Sequence, residues 1–242
     1  MDEKVDSYVD YTSPALSNGA SSREQGTWVP GYFEEYILAH IPSEKDTRIL
    51  DVGCGYGRYL KLLLDRGYAN ARGIDISEKQ IAYAKDVLGL ANASVRDAFE
   101  FLEHAGNEYG VILLLDVLEH LETRKSIQLI RLIRQSLKDG GVLIIQAPNA
   151  LAPLSPFRYG DITHIRAYTV HSMHQSLLMG GFAPENIRHF ELPPHVRGLK
   201  SLARRLVWKC MLKPIISAFM LAAYGDLIGG IYTSNMLTVV RK

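Results

Sequence analysis

The sequence has few cysteines and no marked excess of charge of either sign, and both shortages narrow the class of protein. Only Cys54 and Cys210 occur among its 242 residues, which excludes a disulfide framework and a cysteine-based zinc site as organising features. The formal net charge is +1 at pH 7, so the chain as a whole does not indicate nucleic-acid binding. Residues 1–10 are acidic and lack an apolar run; we therefore expect no secretory signal and a cytoplasmic protein.

The charge is unevenly spread along the chain. Residues 1–46 carry three basic and nine acidic side chains, whereas residues 195–242 carry eight basic side chains and one acidic side chain. With 47% hydrophobic residues and 22% charged residues, the composition is that of a globular protein and excludes disorder. We expect the C-terminal part to meet an anionic partner.

Apolar runs bounded by glycine alternate with helical patterns from Thr47 onward, which is typical of βαβ units in a mostly parallel sheet. Strands are predicted over 48–52, 71–76, 93–97, 109–115, 141–147, 185–192 and 233–241. Helices are predicted over 32–41, 58–66, 78–88, 122–137 and 169–179. The fold class is therefore α/β, with a doubly wound sheet of these strands.

The domain organisation follows from the same pattern. We expect residues 1–46 to form an N-terminal lid and cap helix, in which the aperiodic segment 7–30 orders over a ligand. Residues 47–242 form the main domain. A helical insertion over 193–230 separates the last two strands.

The strongest motif is the stretch Ile-Leu-Asp-Val-Gly-Cys-Gly-Tyr-Gly-Arg over residues 49–58, where a strand runs into a glycine-rich turn and then a helix. Glycines at such a turn allow close approach of a ligand to the backbone, and the helix that follows presents free N–H groups to it. A dinucleotide fingerprint would place its third glycine at position 58, where this chain has Arg58. That departure disfavours a nicotinamide-dependent oxidoreductase, which stays as an alternative of the same sheet architecture.

Acidic residues also lie at the ends of the next three predicted strands. Asp75 ends the second strand 24 positions after Asp51, Asp97 ends the third, and Asp116 opens the segment Asp-Val-Leu-Glu-His after the fourth. In this order and spacing, the chain resembles the class I S-adenosylmethionine (SAM)-dependent methyltransferases over roughly residues 30–192 and the last strand. The resemblance implies a Rossmann-like sheet of seven strands with the last one antiparallel, and SAM as cofactor.

The resemblance also implies roles for individual residues at the carboxyl ends of the strands. Asp51 would orient the amino group of SAM, Asp75 would hold the ribose, and Asp97 would accept from the adenine amino group. The backbone of Asp116 and Val117 would approach the sulfonium. The full implied cofactor set is Asp51, Gly53, Cys54, Gly55, Asp75, Ile76, Asp97, Ala98, Asp116 and Val117.

Two histidines are candidates for the catalytic base. His164 lies in the segment 160–169, which is similar to methyltransferases that modify bacterial surface polysaccharides and related small molecules. Its alternative is a buried histidine that bonds the loop backbone. Glu119 and His120 follow the fourth strand, where they can be catalytic, hold a divalent metal or simply begin the next helix. We assign His164 and His120 as catalytic and expect no metal.

These observations predict a methyltransferase that acts on a hydroxyl of a sugar, glycolipid or sugar nucleotide. The alternative acceptor is an isoprenoid quinone or another small phenol, and an alternative of another class is a non-catalytic SAM-binding subunit that associates with membranes. A nucleic-acid methyltransferase is not expected, because no Asn-Pro-Pro-Tyr-like tetrad follows the fourth strand.

The insertion gives a further expectation about partners. Residues 195–213 carry six basic and no acidic side chains, and residues 215–224 are almost wholly apolar. About ten apolar residues are too few to span a bilayer. We expect residues 195–224 either to contact an anionic membrane at its inner face, with a lipid-linked glycan as acceptor, or to form a lid over a small-molecule acceptor.

Overall fold

A computed structural model of the protein describes residues 30–154 and 156–242. Residues 1–29, which include nearly all of the expected lid loop, lie outside this part. The described chain is organised by a sheet whose strands stand in the order β3-β2-β1-β4-β5-β7-β6. The strands are β1 Ile49–Val52, β2 Ala71–Asp75, β3 Ala93–Val95, β4 Tyr109–Leu115, β5 Leu137–Pro148, β6 Ile187–Glu191 and β7 Asn235–Arg241.

The direction of the strands confirms the predicted sheet. Strands β1 to β5 pair in parallel, and Asp51 in β1 lies between Gly73 in β2 and Leu113 in β4. Strand β7 runs antiparallel to both of its neighbours, β5 and β6. The strand order reverses between β1 and β4, so their carboxyl ends leave a crevice for a ligand.

The helices pack on both faces of this sheet. Five helices follow strands β1 to β5: α1 Arg58–Asp65, α2 Glu78–Asp86, α3 Ala98–His104, α4 Thr123–Ser136 and α5 Pro156–Tyr159. Helix α6 follows at Val170–Met179. The cap helix before β1 consists of an α-helical start over residues 30–32, the π-helical turn Phe33–Ile37 and the 3-10 turn Leu38–His40.

Helix α3 was not predicted, and it changes the end of the preceding strand. We expected a strand to Asp97, but β3 stops at Val95 because the Asp97 side chain caps α3 by accepting from two of its N–H groups. The helix has only seven residues, too few for a clear period in the sequence.

The core has two parts, one on each face of the sheet. Neighbouring residues of a strand point to opposite faces, so Leu50 packs in one part and Ile49 in the other. Strand β4 is buried along Val111–Leu115, which explains its uninterrupted apolar run. The cap helix contributes Phe33 and Ile37 to the Ile49 side.

The insertion between β6 and β7 is a long helix rather than a basic segment followed by a short apolar one. It runs from Leu199 to Tyr224 over 26 residues, which by length and composition is enough to cross a membrane. We call it the C-terminal helix. Our expectation that its apolar part covers only about ten residues is therefore wrong, since Trp208–Leu212 continues the helix through a π-helical turn.

Candidate active site

The glycine loop after β1 has the conformation that its sequence requires. Gly53, Gly55 and Gly57 all have positive φ angles, of 70°, 55° and 84°. A Cβ added at Gly53 would lie 2.5 Å from Val117 Cγ2. The N–H groups of Gly53 and Cys54 donate to the carbonyl of Ile74 at 2.8 and 3.0 Å. The loop is thus hydrogen-bonded to β2, and its first glycine, Gly53, lies against Val117 just after β4.

Asp75 ties this loop to the end of β2. One carboxylate oxygen accepts from the Gly55 N–H and the other from the Ser77 N–H, both at 2.8 Å. A carboxylate has about four acceptor positions, so the Asp75 carboxylate can still accept hydrogen bonds from a ligand. Ile76 follows with an exposed side chain, at the position implied for the cofactor.

Asp51 is buried beneath the loop with an unsatisfied oxygen. Its Oδ2 atom has no hydrogen-bond partner among the described residues. Burial, reinforced by the nearby Asp75, raises the pKa of the Asp51 carboxyl from its usual 3.8 to about 7. A cationic group of a ligand would supply the missing partner, which fits the implied contact with the amino group of SAM.

Cys54 and Asp97 both make contacts within the protein that contribute to its structure. The Cys54 Sγ atom would lie 2.7 Å from a Cβ added at Gly73, and burial raises the pKa of its thiol, so it is a neutral packing group. Asp97 Oδ1 accepts from the N–H groups of Phe99 and Glu100 at 2.8 and 3.1 Å, next to Ala98, the first residue of α3. The implied contacts of these residues with SAM stay predictions.

Asp116, immediately after β4, is held by a hydrogen-bonded chain that the sequence analysis missed. It adopts a left-handed conformation with φ 57°. Gln146 Nε2 donates to its two carboxylate oxygens at 3.0 and 2.8 Å, and the Tyr32 hydroxyl donates to Gln146 Oε1 at 2.5 Å. The signal for Gln146 was available, since it is a polar residue within the apolar run that forms β5. No sequence pattern indicates Tyr32, which arrives from the cap helix.

The electrostatic surroundings of this hydrogen-bonded chain favour a neutral phenol at Tyr32, linked through Gln146 to the Asp116 carboxylate. Loss of water raises the pKa of the Tyr32 hydroxyl well above its usual range. Although the Asp116 side chain is exposed at the surface of the crevice, loss of water beside the surrounding protein raises the pKa of its carboxyl, while Gln146 and Arg58 oppose that shift. The floor of the crevice therefore holds a hydrogen-bond donor, an amide and an acidic group in series.

Glu119, His120 and His164 lie together beyond Asp116. The rings of His120 and His164 have centroids 4.8 Å apart with an interplanar angle of 70°. His164 Nε2 is 4.0 Å from Glu119 Oε1. The Glu119 carbonyl accepts from the Ile165 N–H at 2.8 Å, which holds the His164 loop against the end of β4. The structure thus brings together the two histidines that the sequence places 44 positions apart.

Glu119 itself is completely buried. Neither carboxylate oxygen has a hydrogen-bond partner within the described ranges. Burial, with Asp116 nearby, raises the pKa of the Glu119 carboxyl well above its usual range. Burial therefore favours the protonated, uncharged form of this side chain.

A second hydrogen-bonded chain fixes His120. The Thr163 hydroxyl donates to Asp161 Oδ1 at 2.6 Å and lies 2.9 Å from His120 Nδ1. Since its proton is used for Asp161, Thr163 accepts from Nδ1–H, which leaves the lone pair on His120 Nε2. Burial and the neighbouring His164 lower the pKa of His120. His120 is thus a neutral, oriented imidazole that can accept a proton.

The same three side chains have the donor types of a metal site. Ligand atoms of Glu119, His120 and His164 all lie within 4.8 Å of one another. Imidazole and carboxylate together suit several divalent transition metals. The arrangement can therefore accept a proton or bind such an ion, and our expectation of no metal stays a prediction.

A comparison with known protein families decides the class. A family model described as "Methyltransferase domain" matches residues 24–205, well over half of the chain. The chain belongs to this methyltransferase family. The match confirms the resemblance drawn from the glycine loop and the acidic strand ends, and with it SAM as the cofactor of the class.

Individual relatives of this methyltransferase agree with that assignment. The ubiquinone biosynthesis O-methyltransferase of Rickettsia canadensis is 32% identical over 124 residues, 50% of each chain. The 27-O-demethylrifamycin SV methyltransferase of Amycolatopsis mediterranei is 30% identical over 114 residues, 45% of this chain and 41% of that protein. The chain thus spans about half the length, or less, of the curated relatives it matches.

A solved structure supports the fold. The SAM-dependent methyltransferase from Archaeoglobus fulgidus superposes with a TM-score of 0.64 at 20% identity, covering 88% of this chain and 93% of that one. At this identity the likeness concerns the fold alone. It includes the α/β sheet on which the methyltransferase site described above is built.

Proposed function

We propose that the protein is an O-methyltransferase that transfers the methyl group of SAM to a phenolic hydroxyl of an apolar small molecule. The observation that carries the proposal is the neutral His120, oriented by Thr163 and Asp161, in the segment that follows β4 four positions after Asp116. A base at this position is needed for an acceptor that loses a proton on methylation, such as a hydroxyl.

The reaction needs positioning and one proton transfer. The acceptor oxygen forms a bond to the methyl carbon while the carbon–sulfur bond breaks, and S-adenosylhomocysteine leaves. The hydroxyl proton passes to His120 Nε2 and from there to solvent. Because the sulfonium is already a good leaving group, the protein has mainly to align the reactants and exclude water. The crevice where β1 and β4 end supplies that alignment.

Three considerations favour a phenol over the sugar hydroxyl that the sequence first predicted. A phenol is the stronger acid, so a neutral imidazole can deprotonate it. The segment between β5 and α6, which carries His164, also presents apolar side chains to solvent, since Leu154 and Ile162 are 95% and 97% exposed, which suits an apolar acceptor. The relatives named above act, by their names, in ubiquinone biosynthesis and on a rifamycin, and they give a sugar acceptor no support.

Methyl transfer from radiolabelled SAM to a set of acceptors tests this function. The set contains a short-chain prenylated dihydroxybenzene, a water-soluble catechol and a lipid-linked saccharide. We expect label in the prenylated phenol, and little of it with the His120→Ala variant. His171→Ala is the matched control, because His171 is exposed and lies outside the cluster.

Each outcome of this experiment is informative. Label in the saccharide alone would return the acceptor to the sugar class. SAM binding without turnover on any acceptor would favour the non-catalytic SAM-binding subunit. We also propose that the protein works in the cytoplasm, where an apolar acceptor is reached at the inner face of the membrane.

A further inference from the structure

The C-terminal helix keeps one face toward the protein from Ser201 to Met220. Its inward residues, judged by their partial or complete burial, are Ser201, Arg205, Trp208, Lys213, Ile216 and Met220, with Ser217 beside Ile216. Their spacings are four, three, five, three and four residues. The single step of five coincides with the π-helical turn Trp208–Leu212, where more residues form each turn. That turn brings the second half of the helix back into phase with the first.

The opposite face is apolar and exposed to solvent. Six large apolar side chains on it are between 43% and 85% exposed: Leu199, Leu206, Val207, Met211, Ile215 and Phe219. Only 6% of the most apolar 18-residue window of this helix is buried. A soluble monomer rarely exposes so continuous an apolar surface unless it meets a partner.

The charges beside this face indicate the chemistry of the partner. Arg205 and Lys213 form ion pairs with Glu35 and Glu191. Lys200, Arg204 and Lys209 are exposed and form no ion pair within the part of the chain that the structure describes. No acidic residue occurs over 192–225. The apolar face is therefore bordered by three unpaired cations, which matches a surface that is apolar inside and anionic at its edge.

We propose that the C-terminal helix lies flat in the surface of an anionic lipid bilayer, with its apolar face in the acyl boundary and these three cations at the lipid phosphates. Its length would allow it to span a membrane, but its contacts oppose that arrangement. Arg205 binds Glu35 at 2.5 Å, Lys213 binds Glu191 at 2.8 Å, and Met220 is buried. Crossing a bilayer would break these contacts, whereas binding in the plane keeps them.

The bound helix would also place the active site near the bilayer. Arg205 and His195 both contact the Glu35 carboxylate on the cap helix. Tyr32 lies one turn earlier on the same helix and reaches Gln146 beside Asp116. An acceptor dissolved in the membrane would therefore be near the crevice, because only a few residues connect the bound helix to Asp116. The membrane contact itself does not depend on the proposed reaction.

Co-sedimentation of the full chain with vesicles tests the proposal. We expect binding to vesicles of phosphatidylglycerol mixed with phosphatidylcholine, weak binding to phosphatidylcholine alone, and a loss of affinity at high salt. The variant Lys200→Gln/Arg204→Gln/Lys209→Gln should bind about a hundredfold more weakly, since each cation contributes about fivefold near an anionic surface. Its matched control is Lys85→Gln/Arg124→Gln/Lys125→Gln, which removes three exposed cations elsewhere and should bind as the wild type does.

Three further measurements test whether the apolar face contacts the lipid and whether the helix lies in the plane of the bilayer. Leu206→Ser/Ile215→Ser should also weaken vesicle binding while SAM binding, which reports the fold, is unchanged. A polarity-sensitive fluorophore on the exposed Cys210 should shift to the blue with anionic vesicles, and alkaline carbonate should release the bound protein.

Three results would overturn the proposal. The first is no binding to anionic vesicles at low salt by a protein that binds SAM, and the second is resistance to carbonate, which would mean a spanning helix. The third is a stable dimer whose dissociation requires the Leu206→Ser/Ile215→Ser change, which would mean that a second copy covers the face. Failure of methyl transfer to every acceptor would leave these vesicle measurements unaffected, so the two proposals fail separately.

Discussion

The Tyr32 hydroxyl donates a hydrogen bond of 2.5 Å to Gln146 Oε1 across 114 positions of the chain. Through Gln146 this bond connects the cap helix to the Asp116 carboxylate at the end of β4. Without the Tyr32 hydroxyl, the buried Gln146 oxygen would lose this donor, so the bond stabilises the fold only when both groups are present.

Replacing Tyr32 should therefore lower the stability of the fold by a measurable amount. Tyr32→Phe should lower the free energy of unfolding by about 1 to 3 kcal/mol, since it leaves the buried Gln146 oxygen unsatisfied. Urea denaturation measures this change, and Tyr83→Phe, at an exposed ring, is the control. In a double-mutant cycle with Gln146→Leu, we expect a coupling energy of about 0.5 to 1.5 kcal/mol. Additive effects of the two substitutions would show that the bond does not stabilise the protein.

Asp75 should be the most sensitive position for cofactor affinity. Asp75→Ala removes a carboxylate that orients the glycine loop and can accept from the ribose, and we expect SAM to bind roughly ten- to a hundredfold more weakly. Isothermal titration measures this affinity, and Asp86→Ala, on the exposed side of α2, is the control. Equal affinity of Asp75→Ala and wild type would remove Asp75 from the cofactor site.

SAM affinity should also depend on pH through Asp51. Its folded pKa of about 7 lies above the value in an unfolded chain, so the protonated form stabilises the free protein and that stability is lost as pH rises toward 7. A cationic amino group needs the carboxylate instead. Affinity should therefore fall as pH drops below about 7, with at most roughly tenfold per pH unit.

Titration calorimetry in buffers of different ionisation enthalpy tests this linkage, because binding near pH 6 should release a proton. Asp51→Asn should bind SAM more weakly and show no such release. An affinity that does not vary between pH 5.5 and 8 in the wild type would show that Asp51 does not contact the amino group.

The fold could be predicted almost completely from local pattern. Glycine-bounded apolar runs located the strands, and the continuous run Val111–Leu115 indicated burial on both faces, as the structure shows. The prediction failed where a single polar contact decided the structure. Asp97 ends β3 early by capping α3, and that role has the same sequence signature as a ligand carboxylate at a strand end.

The site was less predictable because its parts come from distant positions. Residues at the ends of consecutive parallel strands must meet at one edge, so Asp51, Asp75 and Asp116 could be grouped in advance. Tyr32 could not be, since its place depends on how the cap helix packs. The side of the C-terminal helix that faces the protein could not be predicted either. The π-helical turn interrupts the regular helical spacing on which such a prediction depends.

Metal dependence can be tested directly. We predict that dialysis against EDTA leaves turnover unchanged, because burial favours the protonated, uncharged Glu119 carboxyl, whereas a metal ion binds the ionised carboxylate. The control is the same enzyme with Mg²⁺, Mn²⁺ or Zn²⁺ restored. Loss of activity with EDTA and recovery with one ion would instead assign Glu119, His120 and His164 as its ligands, and Glu119→Gln should then lose that ion.

The last prediction separates the two histidines as bases. If His120 Nε2 accepts the proton, activity should fall on the acid side as pH drops through the His120 pKa, which lies below the usual 6.5. His120→Ala should lower kcat by about a hundredfold or more at unchanged SAM affinity.

Thr163→Val should lower kcat less, because the base remains but its Nδ1–H loses the acceptor that orients the ring. His164→Ala removes a neighbour that lowers the His120 pKa, so its acid limb should move to higher pH with substantial turnover retained. A pH-rate profile for each variant measures these effects. Abolished turnover in His164→Ala beside an active His120→Ala would assign the proton transfer to His164, the residue that the sequence alone first indicated.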